Sequence, residues 1–155
     1  MKYFSETINY LTATAAVLFI ISLFVGNRRF DLHFHDTYYV IPVRQYFILL
    51  SFLLLAIWTI YKLMDGFLYS TTLTRVQVIA TVVAVLILAL APVITNRLYT
   101  PGDRSLVIPK DPALVKDYMA QLRRFEKTFQ ATVLLFIAAQ LTLLVNIVIG
   151  IIKRN

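Results

Sequence analysis

Four residues with metal-ligating side chains fall within one short segment: Asp31, His33, His35 and Asp36. They include both histidines of the chain and two of its eight acidic residues. In an extended backbone, residues two apart share a face, so the first three would lie together with the fourth beside them. Imidazole nitrogen and carboxylate oxygen favour Zn, Mn, Fe or Cu over Ca. The segment is a candidate divalent-metal site; the alternative is ordinary polar residues at a surface or membrane interface.

The order of residues around this cluster is more specific than its composition. Residues 35–40 have the sequence H-D-T-Y-Y-V, which resembles the segment entering the haem-bearing helix of haem–copper oxidase (cytochrome c oxidase) subunit I. Asp31 matches an aspartate four residues before that histidine, and Tyr46 matches a tyrosine eleven residues after it. The resemblance covers residues 31–46 and, as in that family, an apolar run follows directly.

The resemblance implies a cation site beside a haem, without the haem itself. In the oxidase family, the residues matching His35 and Asp36 help to bind a magnesium or manganese ion near the haem propionates, and the position of Asp31 lies in the same region. Where the family has its axial haem ligands, this chain has Val43 and Gln45, which are not haem ligands of the usual kinds. The copper-binding histidines are missing as well, because the chain has only two histidines. We therefore expect no haem of its own, no oxygen reduction and no catalytic residues.

The retained part of the site has two candidate uses. His35 and Asp36 hold one divalent ion (Mg, Mn, Zn or Cu), or they hydrogen-bond a carboxylate or propionate supplied by a partner. Arg28, Arg29 and Arg44 would add charge-assisted hydrogen bonds to such an anion. The alternative is that the motif serves only as a helix entry, with a cap at position 36 or 37 and two tyrosines at the interface.

The composition predicts the kind of protein that positions this segment. Of 155 residues, 59% are hydrophobic and 15% are charged, and the mean hydropathy is +0.75. A soluble domain of this length has too little interior to hide so much apolar surface. The absence of cysteine excludes thiolate catalysis, thiolate metal sites and iron–sulfur clusters. Most of the 15 basic residues flank apolar runs, which is typical of membrane proteins and not of nucleic-acid binders.

The apolar runs predict an all-α integral membrane protein, with one four-helix domain over residues 1–155. Each run has about the 20 residues needed to cross a hydrocarbon core, and in lipid it must be helical to satisfy its own backbone. The predicted transmembrane helices span residues 8–25, 46–64, 76–94 and 131–152. The metal-ligating segment lies in the loop 27–45 between the first two helices.

The last third of the chain predicts one long helix. Asp111 and Pro112 suit an N-cap and a first helical position, and no helix-breaking residue follows until Gly150. A helix over residues 112–152 would be roughly 60 Å long. Its first part, residues 112–130, has apolar side chains on one face: Leu114, Tyr118, Leu122, Phe125 and Phe129. We expect this face to lie on the membrane interface or on the chain's own loops, with docking of a partner subunit as the alternative.

Three polar residues fall inside the predicted spans: Thr81, Gln140 and Asn146. Polar groups at that depth usually bond across helices, so we expect them to hold the helices together. No ionisable side chain falls at mid-membrane, which argues against a pump, a proton relay or an ion pathway.

Two arguments about orientation disagree. Four spans put both termini and residues 62–75 on one side, with five of the 15 basic residues, and leave ten on the side of the loop 27–45. The positive-inside rule places that loop in the cytoplasm, whereas the oxidase resemblance places it outside. Several of the ten lie on the long last helix, away from a membrane crossing. We therefore favour the loop outside and the termini inside. A multipass chain without a recognisable presequence favours a bacterial inner membrane.

Two functional hypotheses follow. The first is a small non-catalytic membrane subunit of a respiratory, oxidase-related complex, which contacts the lipid bilayer and other membrane subunits through the 112–130 helix and the 27–45 loop. The alternative is a self-contained metal-binding membrane protein that uses Asp31, His33, His35 and Asp36. An enzyme would need a nucleophile–base pair or a carboxylate pair in the membrane, and a nucleic-acid binder would need a soluble basic domain. The sequence offers neither.

Overall fold

The computed structural model describes residues 2–26, 28–34, 37–98 and 112–154. In these residues the chain forms five α-helices and one antiparallel β-hairpin. The elements in chain order are α1 (Lys2–Phe24), β1 (Arg29–Phe34), β2 (Thr37–Pro42), α2 (Val43–Leu63), a 3₁₀ turn (Asp65–Phe67), α3 (Thr71–Ala89), α4 (Ala91–Leu98) and α5 (Pro112–Arg154).

Four described stretches are long and apolar enough to cross a membrane. They are Thr7–Phe24, Val43–Leu63, Thr71–Thr95 and Met119–Lys153. Four stretches long and apolar enough to span a membrane are therefore present at the predicted places in the chain, and their insertion in a membrane stays a prediction. Large apolar side chains such as Phe24, Leu49 and Leu134 are exposed along their outer faces. An apolar exterior of this extent is typical of a protein surrounded by lipid.

The β-hairpin departs from the all-α prediction. The predicted loop 27–45 contains two six-residue strands, and α2 begins at Val43, three residues earlier than expected. The strands pair in register from Arg29 opposite Pro42 to Phe34 opposite Thr37. The β-branched and aromatic residues of Thr37–Pro42 favour this extended backbone.

The third predicted span is also different in detail. Residues 76–94 belong to two helices, α3 and α4, which are separated by one residue at Leu90. Pro92 has no backbone N–H, so the helical hydrogen bond that it would donate is missing and the helix is interrupted there. At its other end α3 begins at Thr71, because the Ser70 hydroxyl caps it by accepting a hydrogen bond from the Leu73 N–H (3.3 Å).

α5 is a single helix of 43 residues, which confirms the long helix predicted after Pro112. At 1.5 Å per residue it is about 65 Å long, roughly twice the thickness of a hydrocarbon core. Gly150 does not end the helix, which continues to Arg154.

The helices pack as two pairs, α1 with α2 and α3 with α5, and α1 also contacts α3. α2 and α3 run antiparallel after the 3₁₀ turn, and side-chain hydrogen bonds join them at both ends. The fully buried apolar side chains come from α1, α2 and α3 and include Leu11, Leu18, Leu54, Val78 and Val85.

A buried polar network joins α2, α3 and α5. The Tyr61 hydroxyl donates a hydrogen bond to Gln77 Oε1. Gln77 Nε2 donates to Thr81 Oγ1 (3.0 Å) and to Gln140 Oε1 (3.3 Å), and Gln140 Nε2 donates to Thr81 Oγ1 (3.1 Å). The cross-helix bonding predicted for Thr81 and Gln140 is thereby confirmed.

Asn146 provides a second polar link between α5 and α3. Its Oδ1 accepts a hydrogen bond from the Ser70 N–H (2.9 Å), and its Nδ2 donates to the Ser70 carbonyl (3.2 Å) and to Thr74 Oγ1 (2.9 Å). One amide thus satisfies both backbone groups of the residue that caps α3. The cross-helix bonding predicted for Asn146 is confirmed as well.

Gly150 lies one turn beyond Asn146 on the same face of α5, where the helix meets the chain between α2 and α3. A Cβ at position 150 would overlap the Phe67 carbonyl oxygen and lie 2.8 Å from its carbon and 3.1 Å from the Tyr69 nitrogen. These are backbone atoms, which cannot move aside as a flexible side chain does. The glycine therefore allows the close approach of α5 to this segment.

We expect Gly150→Ala to lower the free energy of unfolding by about 1–3 kcal/mol, because the methyl group forces the two backbones apart. In an open helix the same change would stabilise by about 1 kcal/mol, so the sign of the effect is diagnostic. Reversible unfolding in mixed micelles, followed by circular dichroism, measures it. Gly26→Ala is the matched control, since nothing lies within 4 Å of a Cβ there. Equal or greater stability of Gly150→Ala would contradict the close contact.

Candidate functional site

The hairpin carries the predicted metal-ligating segment. Asp31 and His33 occupy alternate positions of β1, opposite Val40 and Tyr38 respectively. Alternate positions of a strand are about 6.6 Å apart along its axis and share one face. The predicted extended backbone is therefore present at Asp31 and His33.

His35 and Asp36 connect the two strands in sequence and lie outside the described residues. The candidate metal set of Asp31, His33, His35 and Asp36 thus stays a prediction. In the ranges that the structure describes, no group of three or more histidine, aspartate or glutamate side chains is close enough together to hold a metal ion.

Three arginines surround the base of the hairpin. The Val43 N–H donates to the Arg28 carbonyl (2.9 Å), which extends the strand pairing by one step beyond Arg29 and Pro42. This bond brings Arg28 and Arg29, which follow α1, next to Arg44 in the first turn of α2. All three side chains are exposed. The three arginines thus form a positively charged cluster where the hairpin meets the helices. Such a cluster suits the predicted binding of an anion.

Tyr46, the tyrosine shared with the oxidase segment, is buried in the first turn of α2. Its hydroxyl donates a hydrogen bond to the Leu88 carbonyl (2.9 Å) near the end of α3. In an uninterrupted helix that carbonyl would accept from residue 92, which here is a proline without an N–H. Tyr46 therefore supplies the donor that Pro92 lacks, and it joins the hairpin end of α2 to the break between α3 and α4.

The apolar face predicted on residues 112–130 is partly covered by the chain itself. Leu122, Phe125 and Phe129 are half-buried, the rings of the two phenylalanines are 6.1 Å apart, and Phe129 packs against the core. The side chains of Leu114 and Tyr118 lie outside what the structure describes. The part of this face nearer the membrane span thus packs within the protein. Docking of a partner through the part that contains Leu114 and Tyr118 stays a prediction.

Sequence reasoning did not find the partners of several of these groups. Gln77 escaped notice because it lies near the start of an apolar run, where one polar residue is ordinary. The position of Tyr61 near the end of the second span predicts a place at the membrane interface, whereas the structure buries it. Pro92 lies near the end of the third predicted span, where a kink or a helix end is expected, and a missing donor four residues after Leu88 could have been inferred from it. That Tyr46 provides the replacement depends on how α2 and α3 pack, which a linear pattern does not show.

No protein-family model, curated protein or solved structure matches this chain. The resemblance to haem–copper oxidase subunit I stays a prediction that depends on residues 31–46 alone.

The bond between Tyr46 and Leu88 can be tested with a double-mutant cycle. We expect Tyr46→Phe to lower the free energy of unfolding by about 1–3 kcal/mol, because the buried Leu88 carbonyl then keeps only the N–H of Leu90, two residues along the chain, as a donor. In a Pro92→Ala background the new backbone N–H can replace the hydroxyl, so the same change should cost clearly less. Unfolding in mixed micelles measures all four proteins. Equal costs in both backgrounds would show that Tyr46 does not compensate for the proline.

Proposed function

We propose that this chain is a small, non-catalytic integral membrane subunit of a respiratory, oxidase-related complex, in which the hairpin docks beside the haem or metal centre of a partner. The observation that carries the proposal is the hairpin itself. The oxidase-like segment forms a defined two-stranded element that leads directly into α2.

Membrane location is supported by the four long apolar helices and by their exposed apolar faces. The hairpin then belongs at the end of the helices, outside the hydrocarbon. A two-stranded ribbon leaves one edge of each strand without a partner strand, and such backbone groups are not tolerated in lipid. Within the described residues the sheet has only these two strands, so the outer edge of each strand lacks a partner strand, and β1 also contacts α4.

The free edges and the arginines suit a docking element. An exposed strand edge can pair with an extended segment of a partner, and the main-chain hydrogen bonds then supply affinity. Arg28, Arg29 and Arg44 add positive charge beside the edge, which favours a carboxylate or propionate on the partner. The chain itself has no residues at the two axial-ligand positions of the oxidase segment that could bind haem, so the redox centre is assigned to the partner.

We propose the bacterial inner membrane as the location, with the hairpin outside and the termini inside, following the oxidase resemblance. The charge distribution favours the reverse. Cysteine labelling at an exposed position of the hairpin, such as Tyr39→Cys, distinguishes the two orientations in intact cells, since Tyr39 is half-exposed and the chain has no cysteine of its own.

The second candidate is a self-contained divalent-metal site formed by Asp31, His33, His35 and Asp36. The alternate positions of Asp31 and His33 on β1 favour it, because alternate positions of a strand share a face and both residue types are metal ligands. This site would bind its metal ion without a partner. The docking hairpin, in contrast, would need no metal ion in the isolated chain.

Native mass spectrometry of the chain, extracted in a mild detergent from its own membrane, tests both candidates. We expect the chain to be extracted together with haem-bearing chains. We expect the double substitution His35→Ala with Asp36→Ala to weaken that association. The metal content of the isolated double variant should equal that of the parent chain. Thr72→Ala, an exposed change in the first turn of α3, is the control and should retain the partners.

A bare monomer or homo-oligomer from the native membrane would contradict the subunit proposal. If that species carried one metal ion and lost it in His35→Ala, the self-contained metal site would replace it. Recovery of the chain in the soluble fraction would contradict membrane location, independently of either candidate.

A further inference from the structure

An apolar groove runs along the outer surface between α1 and α2. Its volume is about 350 Å³, which falls within the range of small-ligand sites in proteins. It is lined by Thr12, Ala15, Ala16, Phe19, Ser51, Phe52 and Leu55. The floor is formed by buried small residues, Ala15 and Ser51, and the rim includes two exposed aromatic rings, Phe19 and Phe52.

The lining of the groove is almost entirely apolar. The Ser51 hydroxyl donates to the Phe47 carbonyl (2.8 Å), and the Thr12 hydroxyl donates to the Asn9 carbonyl (2.8 Å). Both hydroxyls are thus engaged by the backbone of their own helices. A polar ligand would find no partner here, whereas an alkyl chain would lose nothing by entering.

Arg44 lies on the same face of α2 as the groove. The spacing from Arg44 to Ser51, Phe52 and Leu55 is 7, 8 and 11 residues, which is close to two or three turns of an α-helix, so these residues lie on one side of α2. At 1.5 Å per residue the groove therefore begins about 10 Å from Arg44 along the helix axis and continues to about 17 Å. On α1 the groove ends at Phe19, and Arg28 and Arg29 follow the end of that helix.

The three arginines are exposed, and no carboxylate in the described part of the chain pairs with them. Cations near the opposite end of the helices are held differently. Lys62 lies over the Trp58 ring (5.8 Å), and Lys153 lies over the Tyr69 ring (4.1 Å) and donates to the Tyr69 hydroxyl. The hairpin end thus presents positive charge that the described side chains do not neutralise.

We propose that this surface binds an anionic phospholipid, with its phosphate at Arg28, Arg29 and Arg44 and one acyl chain in the groove between α1 and α2. The headgroup end carries the charge that is complementary to phosphate, and the groove, about 10–17 Å from Arg44, lies at the depth of the middle of an acyl chain in a leaflet about 20 Å thick. The inference depends on the membrane location proposed above but not on the metal site, and it concerns the chain without its partner, because a partner's carboxylate would compete with the phosphate for the same arginines. Charge complementarity favours an anionic lipid over a second copy of this chain, whose formal net charge is +7.

Titration in native mass spectrometry tests the headgroup part. The purified chain in detergent is titrated with phosphatidylglycerol and, separately, with phosphatidylcholine of identical acyl chains. We expect tighter binding of phosphatidylglycerol, and we expect Arg44→Gln to weaken it about fivefold while phosphatidylcholine is unaffected. Lys62→Gln, which removes a cation at the other end of α2, is the matched control. Equal affinity for both lipids, or equal loss in Arg44→Gln and Lys62→Gln, would overturn the headgroup assignment.

A second variant tests the groove. Ala16→Phe places a large ring in the groove and should lower the affinity for both lipids, whereas Ala138→Phe, at an exposed position on α5, should not. Glycerophosphoglycerol, which carries the headgroup without acyl chains, should not displace the lipid. Full displacement by it would show that only the phosphate is bound. A change of oligomeric state in Ala16→Phe with unchanged lipid affinity would assign the groove to a second copy of the chain.

Discussion

Where the helical backbone of α3 begins and where it breaks, a side chain from another helix forms a hydrogen bond with the backbone. Water does not reach N–H and C=O groups that are buried where a helix begins or breaks, so the protein must supply their partners. At the start of α3, Asn146 pairs with both backbone groups of Ser70, and near its end Tyr46 pairs with the Leu88 carbonyl. The arrangement of the helices depends on this requirement.

The same requirement explains why α3 is the central helix. Its first turn is held by α5, its middle by the network of Gln77, Thr81 and Gln140, and its last turn by α2. Apolar packing alone holds helices poorly in lipid, because lipid tails are as apolar as leucine. Directional hydrogen bonds therefore set the register of α3 against its neighbours, and Gly150 allows the backbones to approach closely enough to form them.

The fold could be predicted from the sequence where it depends on averages over many residues. Four spans and the long last helix follow from about 20 apolar residues at a time, and single exceptions do not disturb them. The hairpin was missed because its two strands are joined by His35 and Asp36, which lack the glycine or asparagine that marks a tight turn. The polar partners could be predicted only in part: Gln140 and Asn146 indicated that cross-helix bonds exist, but their partners depend on packing. For the candidate site, an extended segment with Asp31 and His33 in alternation was predictable, whereas its ligand stays a prediction, because His35 and Asp36 lie outside the described residues.

The long helix α5 has a mechanical consequence. It is stiff over about 65 Å, and its contacts with Ser70 and Phe67 lie within ten residues of its C-terminal end. Phe129 packs against the core and Gln140 bonds to α3, so α5 is held from residue 129 to residue 150. Only residues 112–128 extend beyond these contacts, over about 25 Å, so a tilt of about 5° in this part moves its N-terminal end by about 2 Å. A protein that pushes on residues 112–128 would therefore act on a helix whose other part is fixed to α3.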